Sequence, residues 1–451
     1  MSLTRRHFLQ CSAAFAAGFA GLHRLTGCIA PPDDAVGFRY GPLRPDPENV
    51  FELPEGFRYT IFSRVGEEMD DGLLVPGKHD GMAAFPGPDG RTILVRNHEN
   101  EPHWQHLSAF GPNLEQLSKI DRSRLYDAGR GRKPGLGGTT TLVFDTRTQR
   151  LERHFLSLAG TTRNCAGGPT PWGTWLTCEE DVTRASGSHE KDHGYVFEVP
   201  ASPEIALADP IPIKAMGRFY HEAVAIDPLS GIVYLSEDRH DGLLYRYTPR
   251  TPGRLLDGGR LQALAIVERP SFDTRNWDSP AVRPGDVLPV KWIDLDDIES
   301  PKDDLRDRGF KAGAAKFART EGMWAAPNAI YFCCTNGGVA RRGQIWKLTP
   351  NTRTDRPEEL TLFIEPNDRS VMDMCDNITV APWGDLVVCE DCGGINRLLG
   401  VTPEGEAYTI GRTATASSEL AGACFSPDGT TLFVNMQQDG LTLAITGPWR
   451  G

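Results

Sequence analysis

Short apolar runs with polar or acidic residues at both ends recur along this chain. Each copy has a polar opening position, an apolar run, a turn containing Pro, Gly, Asp or Asn, a second apolar run and a closing position that is usually acidic. Short apolar runs bounded by turn residues are typical of β-strands joined as hairpins. Six copies are present, at residues 80–99, 165–181, 222–238, 321–336, 376–391 and 419–435.

The repetition predicts an all-β fold, a six-bladed β-propeller with helical or loop insertions between the blades. In a propeller each repeat forms one blade, and its first strand lines the central axis. Further strands that end at proline, as in YVFEVP, LLYRYTP and QIWKLTP, follow the hairpins and supply the outer strands. Because a hairpin goes out and comes back, its opening and closing residues lie at the same end. All opening and closing residues are therefore expected at one mouth of the central channel.

The segment 161–181, TTRNCAGGPTPWGTWLTCEED, is the most informative hairpin. It opens on Cys165 and closes on Glu179 and Glu180, which places a thiol beside carboxylates. Such a group repels itself unless a cation neutralises it, so the hairpin predicts a metal site. The alternative is a free cysteine buried as a small apolar residue beside solvated acids.

The other hairpins bring more acids to the same mouth. Iron accepts both thiolate and carboxylate ligands, whereas calcium selects carboxylates, so one thiol among many acids predicts two kinds of metal, iron and calcium. The candidate ligands are Cys165, Glu99, Glu179, Glu180, Glu222, Glu237, Glu321, Asp376, Glu390 and Asp391.

The charge of the chain restricts its partners. The formal net charge is −12, which argues against nucleic acid as a partner and against adhesion to anionic lipids. It would also repel a phosphate ester, unless bound cations reverse the local field. A Ser-His-Asp hydrolase is not supported, because the sequence contains no GxSxG motif.

The first 28 residues predict export. Arg5 and Arg6 precede an apolar, Ala-rich stretch, as in a twin-arginine signal peptide, and residues 25–28 resemble a lipobox. We expect lipidation of Cys28, with simple cleavage as the alternative. Export by the twin-arginine machinery would give a periplasmic protein or a membrane-anchored lipoprotein, in contact with the membrane only through its lipid.

The rest of the chain is expected to form one monomeric domain. Residues 29–50 are proline-rich and predict a tether, and residues 51–451 form the propeller domain. Two insertions, at 102–138 and 271–319, have helical character at 113–120 and 302–317. Insertions on a rigid scaffold commonly build the rim of a site, and loop decoration is the alternative.

Several of these segments together resemble the PhoX-type alkaline phosphatases. They are NHE ending at Glu99, NCAGGPTPWGTWLTCEED at 164–181, FYHEA at 219–223, SED at 236–238, RTEGM at 319–323 and DNITVAPWGDLVVCED at 376–391. The resemblance covers nearly the whole chain after the signal. It implies a six-bladed, twin-arginine-exported propeller that hydrolyses phosphate monoesters with a mixed iron and calcium cluster.

The resemblance also implies roles for individual residues. Cys165 would be the thiolate ligand to iron, and Arg319 would hold the phosphate group of a small phosphate ester. The carboxylate ligands it implies are Glu180, Glu222 and Glu321, and its acidic motif positions include Glu99, Glu390 and Asp391.

Two other functions fit part of the pattern. A calcium-dependent lactonase or phosphotriesterase would use the carboxylates and would need no thiolate, so iron content distinguishes it. A non-catalytic binding lipoprotein would use calcium only to join the blades. The number of acids at one mouth, larger than a structural role requires, argues against the second.

Overall fold

The computed structural model describes residues 39–351, 357–416 and 418–449. The predicted signal peptide and Cys28 lie outside these ranges. The strands of the described ranges are β1 Leu43–Arg44, β2 Phe51–Pro54, β3 Arg58–Arg64, β4 His79–Pro86, β5 Thr92–His98, β6 Gly137–Asp145, β7 Arg150–Thr161, β8 Asn164–Pro169, β9 Thr174–Glu179, β10 Val196–Pro200, β11 His221–Ile226, β12 Val233–Glu237, β13 Gly242–Pro249, β14 Gly259–Ile266, β15 Val287–Asp294, β16 Lys316–Phe317, β17 Thr320–Ala326, β18 Ala329–Cys334, β19 Gln344–Thr349, β20 Glu358–Ile364, β21 Cys375–Val380, β22 Leu386–Glu390, β23 Arg397–Val401, β24 Ala407–Thr413, β25 Leu420–Phe425, β26 Thr431–Met436 and β27 Leu441–Thr446.

Helical structure is scarce in the same ranges. The one α-helix described, α1, is Leu305–Lys311. Short 3-10 helices cover Pro88–Gly90, Gln105–Leu107, Leu117–Lys119, Arg122–Arg124, Gly129–Gly131, Lys214–Met216 and Leu255–Asp257. None of these helices has the length and hydropathy needed to cross a membrane.

Hydrogen bonding joins the described strands into five sheets, which gives an all-β, propeller-like arrangement. Two sheets have four strands, in the orders β4-β5-β6-β7 and β25-β26-β27-β3, and a third has the order β10-β9-β8. A fourth runs β1-β2-β24-β23-β22-β21. The largest runs β11-β12-β13-β14-β15-β20-β19-β18-β17, with β16 on the side of β13.

The first strand of every repeat lies on the inside of the molecule. The strands β4, β8, β11, β17, β21 and β25 contact one another in that order, and β25 contacts β4 again. Their order around the axis is thus the order of the repeats in the sequence. The strand β11 is buried at all of its residues because its own hairpin and both neighbouring inner strands cover it.

The insertion 271–319 changes the predicted blade pattern. Its strand β15 pairs with β14 of the third repeat and with β20 of the fourth, so two repeats share one sheet instead of forming separate ones. Its helix α1 is shorter than the helical segment predicted at 302–317. The insertion 102–138 holds 3-10 helices in place of the helix predicted at 113–120, and it packs its own apolar cluster against Met69 and Leu73.

The two ends of the described chain meet. The strand β27 pairs with β3 from Leu441↔Arg64 to Thr446↔Arg58, so an N-terminal strand completes the sheet of the last repeat. The described part of the predicted tether also belongs to the domain. There β1 pairs with β2, and the ring of Tyr40 lies 5.0 Å from Phe57 and 5.9 Å from Tyr408.

Candidate metal centre

A β-bulge near the opening residue of all six inner hairpins brings the opening residues together. The two strands of each hairpin pair in regular register from the turn, and the register then shifts near the opening residue. The shift lies between His79 and Met82 on β4 and between Cys375 and Ile378 on β21. A bulge inserts an extra residue and breaks the alternation of side chains across the strand. The same shift occurs in three other hairpins, and in the hairpin of the last repeat it lies one residue later, between Ala421 and Cys424. The bulged opening positions are Asp80, Cys165, Glu222, Glu321, Asp376 and Ala421.

Polar side chains of neighbouring strands hold several of these bulges. The amide of Asn97 donates to the backbone oxygens of Cys165 at 3.0 Å and Ala166 at 2.7 Å. The hydroxyl of Ser236 donates to the backbone oxygen of Glu321 at 2.8 Å. Because these partners are buried, the opening side chains are fixed by the scaffold rather than by loops.

Two groups of side chains at this end lie close enough to share a cation. In the first, the ligand atoms of Cys165, Glu180 and Glu222 lie within 4.8 Å of one another. In the second, Glu222, Glu321 and Asp376 meet the same distance criterion. Glu222 belongs to both groups, so the two form one continuous cluster, which we call the axial cluster.

The closing residues form a second tier around the axial cluster. In every repeat the closing residue donates its backbone N–H to the carbonyl oxygen two residues before the opening position, for example Glu180 to Arg163 at 2.9 Å and Asp391 to Met374 at 3.0 Å. The six closing positions defined in this way are Glu99, Glu180, Asp238, Thr335, Asp391 and Gln437.

Three predicted ligands lie outside both the axial cluster and the tier of closing residues. Glu179 accepts hydrogen bonds from the N–H groups of Thr162 and Gly194. Glu237 accepts from the hydroxyl of Tyr245, and Glu390 forms a salt bridge with Arg397. Side chains alternate across a strand, so the first acid of each closing pair faces the blade and only the second acid faces the axis.

Three acids at the ends of repeats were expected at the mouth but were not named as candidate ligands. Asp80 lies at the opening position of the first repeat, and Asp238 is the second acid of its closing pair. The Glu419 carboxyl interacts with those of Asp391 and Glu99. The alternation rule, applied to each acidic pair, would have selected Asp238 over Glu237. Placing Glu419 requires the hydrogen bond from the Gln437 N–H to the Glu419 carbonyl oxygen, which puts Ala421 at the sixth opening position.

The acids of the axial cluster repel one another in the absence of a cation. Burial raises the pKa of Glu222 well above its ordinary value, and the charges of Glu321 and Glu180 raise it further. Burial likewise raises the pKa of Asp80, Glu180, Glu321 and Asp376. So many buried carboxyls are stable in their charged form only with compensating cations.

The donor atoms present fit a metal cluster. Among the described residues, the Oδ1 atom of Asp376 is buried without a hydrogen-bond partner, which marks it as an oxygen available to a cation. Burial raises the pKa of the Cys165 thiol, and the carboxyls of Glu222 and Glu180 add to the shift. The thiolate is therefore favoured only when a cation lies beside it.

Two arginines pair with acids at the mouth of the propeller. Arg319 donates to both carboxylate oxygens of Asp238, at 2.9 and 3.0 Å, and also pairs with Glu321. Arg163 forms salt bridges with Glu99 at 2.7 Å and with Glu180. Both arginines occupy the position two residues before an opening residue, with φ of 50° and 48°. This backbone region is uncommon for residues other than glycine, and such strain is typical of functional sites.

The fold and the site together define a propeller-like, all-β protein with a candidate metal centre of buried carboxylates and one thiol on its axis. Comparison with known proteins identifies the family. The sequence matches the alkaline phosphatase PhoX family over residues 38–440, and the chain belongs to that family. It is accordingly a metal-dependent phosphatase, a phosphoric monoester hydrolase. No curated protein sequence matches this chain.

The chain is similar to several solved structures, and the first of these shares its fold. PhoX from Pseudomonas fluorescens, solved in complex with the transition-state analogue vanadate, is 18% identical, with a TM-score of 0.65. That alignment covers 91% of this chain and 98% of the other. The luciferin-regenerating enzyme is 10% identical, with a TM-score of 0.42 and coverage of 87% and 96%. The gluconolactonase XC5397 from Xanthomonas campestris is 11% identical, with a TM-score of 0.36 and coverage of 92% and 100%.

Proposed function

We propose that this protein hydrolyses phosphate monoesters with a cluster of iron and calcium ions held at the mouth of the propeller. The carrying observation is the axial cluster, in which one buried thiol and at least four buried carboxyls converge beneath Arg163 and Arg319. A purely structural calcium site needs neither a thiol nor two arginines over its acids.

The donor atoms support this choice of metals. The group of Cys165, Glu180 and Glu222 has a soft sulfur ligand and suits iron. The group of Glu222, Glu321 and Asp376 has only carboxylate oxygens and suits calcium. When bound, such ions would neutralise the phosphoryl oxygens and lower the pKa of water for attack on phosphorus.

The arginines are placed to orient the phosphoryl group. The Nε and Nη2 groups of Arg319 donate hydrogen bonds to Asp238, and Nη2 also donates to Glu321. The Nη1 group of Arg319 donates to no described residue. Arg163 pairs with two other acids of the tier of closing residues, Glu99 and Glu180. A planar guanidinium offers several parallel donors and so matches the geometry of a phosphoryl group. Arg319 thereby keeps the role expected from the sequence, and Arg163 joins it.

We also propose six blades, with β15 joining the third and fourth. Six inner strands in closed contact, six bulges and six equivalent N–H bonds to the flanking position support this count. Export by the twin-arginine machinery, a lipid anchor on Cys28, a periplasmic location and a monomeric state are further proposals that rest on the sequence alone.

The deciding experiment is hydrolysis of a chromogenic phosphate monoester at mildly alkaline pH by metal-loaded protein, with Cys165→Ala run in parallel. We expect Cys165→Ala to lose iron and turnover while its circular dichroism stays that of the folded parent. The matched control is Cys178→Ala, a buried cysteine of the same hairpin whose neighbours are apolar, and it should retain both. An active Cys165→Ala would refute the proposed cluster.

The same assay separates the alternatives. A calcium-dependent lactonase or phosphotriesterase would turn over a lactone or a phosphotriester and contain no iron. A binding protein would hold metal and turn over none of these substrates.

A further inference from the structure

A second group of potential ligands lies away from the axial cluster. Asp127 belongs to the insertion 102–138, and His189 and His193 belong to the loop between β9 and β10. Their ligand atoms lie within 4.8 Å of one another. We propose that these three residues bind one divalent transition-metal ion of the zinc class, at a site separate from the iron and calcium cluster.

The distances between the ligand atoms fit a tetrahedral ion. Asp127 Oδ2 lies 3.2 Å from His193 Nε2 and 3.6 Å from His189 Nδ1. With zinc–ligand bonds of about 2.0–2.1 Å, two ligands of a tetrahedral site lie about 3.4 Å apart. Both measured separations fall within a few tenths of an ångström of that value, so small side-chain shifts would complete the geometry.

A buried carboxylate orients one of the histidines. His193 Nδ1 lies 2.6 Å from Glu179 Oε1, and the other oxygen of Glu179 accepts from the N–H of Gly194 at 2.9 Å. A metal-binding histidine commonly donates its second N–H to a carboxylate, which fixes the ring and directs the other nitrogen at the metal. Here that nitrogen is Nε2, which faces Asp127. Glu179, predicted as an axial ligand, therefore orients His193, a ligand of this separate site.

The choice of metal follows from the ligands and from access. Two imidazole nitrogens and one carboxylate favour zinc and its neighbours over calcium, which selects oxygen. Asp127 and His193 are almost fully buried, whereas the His189 side chain is 24% exposed and leaves a route for the ion. A bound ion would tie the insertion 102–138 to the loop that follows the axial ligand Glu180. The site would thus stabilise the rim of the mouth rather than take part in the chemistry.

The same residues could instead form a metal-free ion pair. A doubly protonated His193 between Glu179 and Asp127 would satisfy both carboxylates by hydrogen bonds alone. In that arrangement His189 would only pack edge-on against the His193 ring, with 5.6 Å between the ring centroids, and face Asp127 at 3.6 Å. The metal-free arrangement also binds no zinc, which makes the two arrangements distinguishable.

The test is zinc binding by protein that already carries its iron and calcium. Parent, His189→Gln and His106→Gln are saturated with zinc, freed of excess metal and analysed for zinc, iron and calcium. His106 is the matched control because it is an exposed histidine outside the three-residue group. We expect parent and His106→Gln to hold one more zinc per chain than His189→Gln, with iron and calcium equal in all three. Zinc should also raise the melting temperature of the first two and leave that of His189→Gln unchanged.

A second variant and a spectrum keep the test decisive. His193→Gln should also lack the extra zinc, and its circular dichroism reports whether it folds. The X-ray absorption spectrum of the zinc in the parent should show imidazole ligands. Equal zinc in parent and His189→Gln, or bound zinc without imidazole ligands, would overturn the proposal and establish the metal-free ion pair.

Discussion

Replacing Glu222 by Gln should change the stability of this protein in opposite directions with and without metal. Glu222 is common to both ligand groups of the axial cluster, so its loss should remove bound metal and reduce turnover by about 1000-fold or more. In the metal-free protein the same carboxyl is a buried acid among other acids, and its removal should stabilise the fold.

The structure sets the size of the stabilisation. Two unit charges 4.8 Å apart repel by about 3.5 kcal/mol at an effective dielectric constant of 20. The Glu222 carboxyl avoids this repulsion if it keeps its proton in the folded state. Because the carboxyl has a pKa of 4.5 in the unfolded chain, keeping the proton at pH 8 lowers the free energy of unfolding by at most about 4.8 kcal/mol. A buried amide costs about 1–2 kcal/mol in its place. The net gain for metal-free Glu222→Gln is therefore at most about 3–4 kcal/mol at pH 8.

The pH dependence of this gain follows from the raised pKa of Glu222. A folded state that binds the proton more tightly than the unfolded state loses stability as the pH rises above the unfolded pKa. The parent therefore bears this cost at pH 8 and not below about pH 4.5. The advantage of Glu222→Gln should shrink on acidification, by at most about 1.4 kcal/mol per pH unit.

Denaturant titrations of metal-free and metal-loaded protein at several pH values measure both effects. The matched control is Glu390→Gln, which removes a buried carboxylate that pairs with Arg397 and accepts from the N–H of Asp373. This control should retain metal and should be less stable than the parent in both forms. If metal-free Glu222→Gln were less stable than the metal-free parent at pH 8, the repulsion described for the axial cluster would be refuted.

Three further predictions concern the substrate, the calcium ions and the scaffold. Arg319→Lys keeps the charge but loses the planar fork, so kcat/KM for a phosphate monoester should fall about 10- to 100-fold with metal content unchanged; an unchanged kcat/KM would exclude phosphate contact. A calcium-selective chelator should abolish turnover and added calcium should restore it, whereas full turnover after calcium removal would contradict a catalytic calcium. Gly168→Ala should cost about 3 kcal/mol of unfolding free energy in a denaturant titration, because its Cβ would lie 1.9 Å from the Val224 carbonyl oxygen. Gly173→Ala, with open space around its Cβ and φ of 84°, should cost only about 1 kcal/mol, and equal losses would refute the steric explanation.

Prediction from the sequence was most accurate where local pattern and tertiary contact agree. The hairpin 161–181 was predicted with its strands and turn, and β8 and β9 occupy those positions. Its thiol and its acid Glu180 do meet, because an antiparallel hairpin returns to its starting end. Prediction was less accurate at acidic pairs, where adjacent residues on a strand face opposite sides and only one can reach the axis.

The insertions show a different limit. The strand β15 is recognisable as an apolar run, yet nothing local indicates that it pairs with both β14 and β20. The histidines of the second site are only four residues apart, but their partner Asp127 comes from an insertion more than sixty residues earlier in the chain. Such groupings depend on contacts between distant segments, which a local pattern does not contain.

The sequence by itself determined the repeated hairpins, the all-β class, the resemblance to the phosphatase family and the presence of a thiol among acids. These properties depend on residue type and spacing, which the chain carries locally. The tertiary structure alone decided which acids face the axis, how the third and fourth repeats join and where Asp127 lies. Those features depend on the register shift at each bulge and on contacts across the ring, where one residue of displacement turns a side chain to the other face.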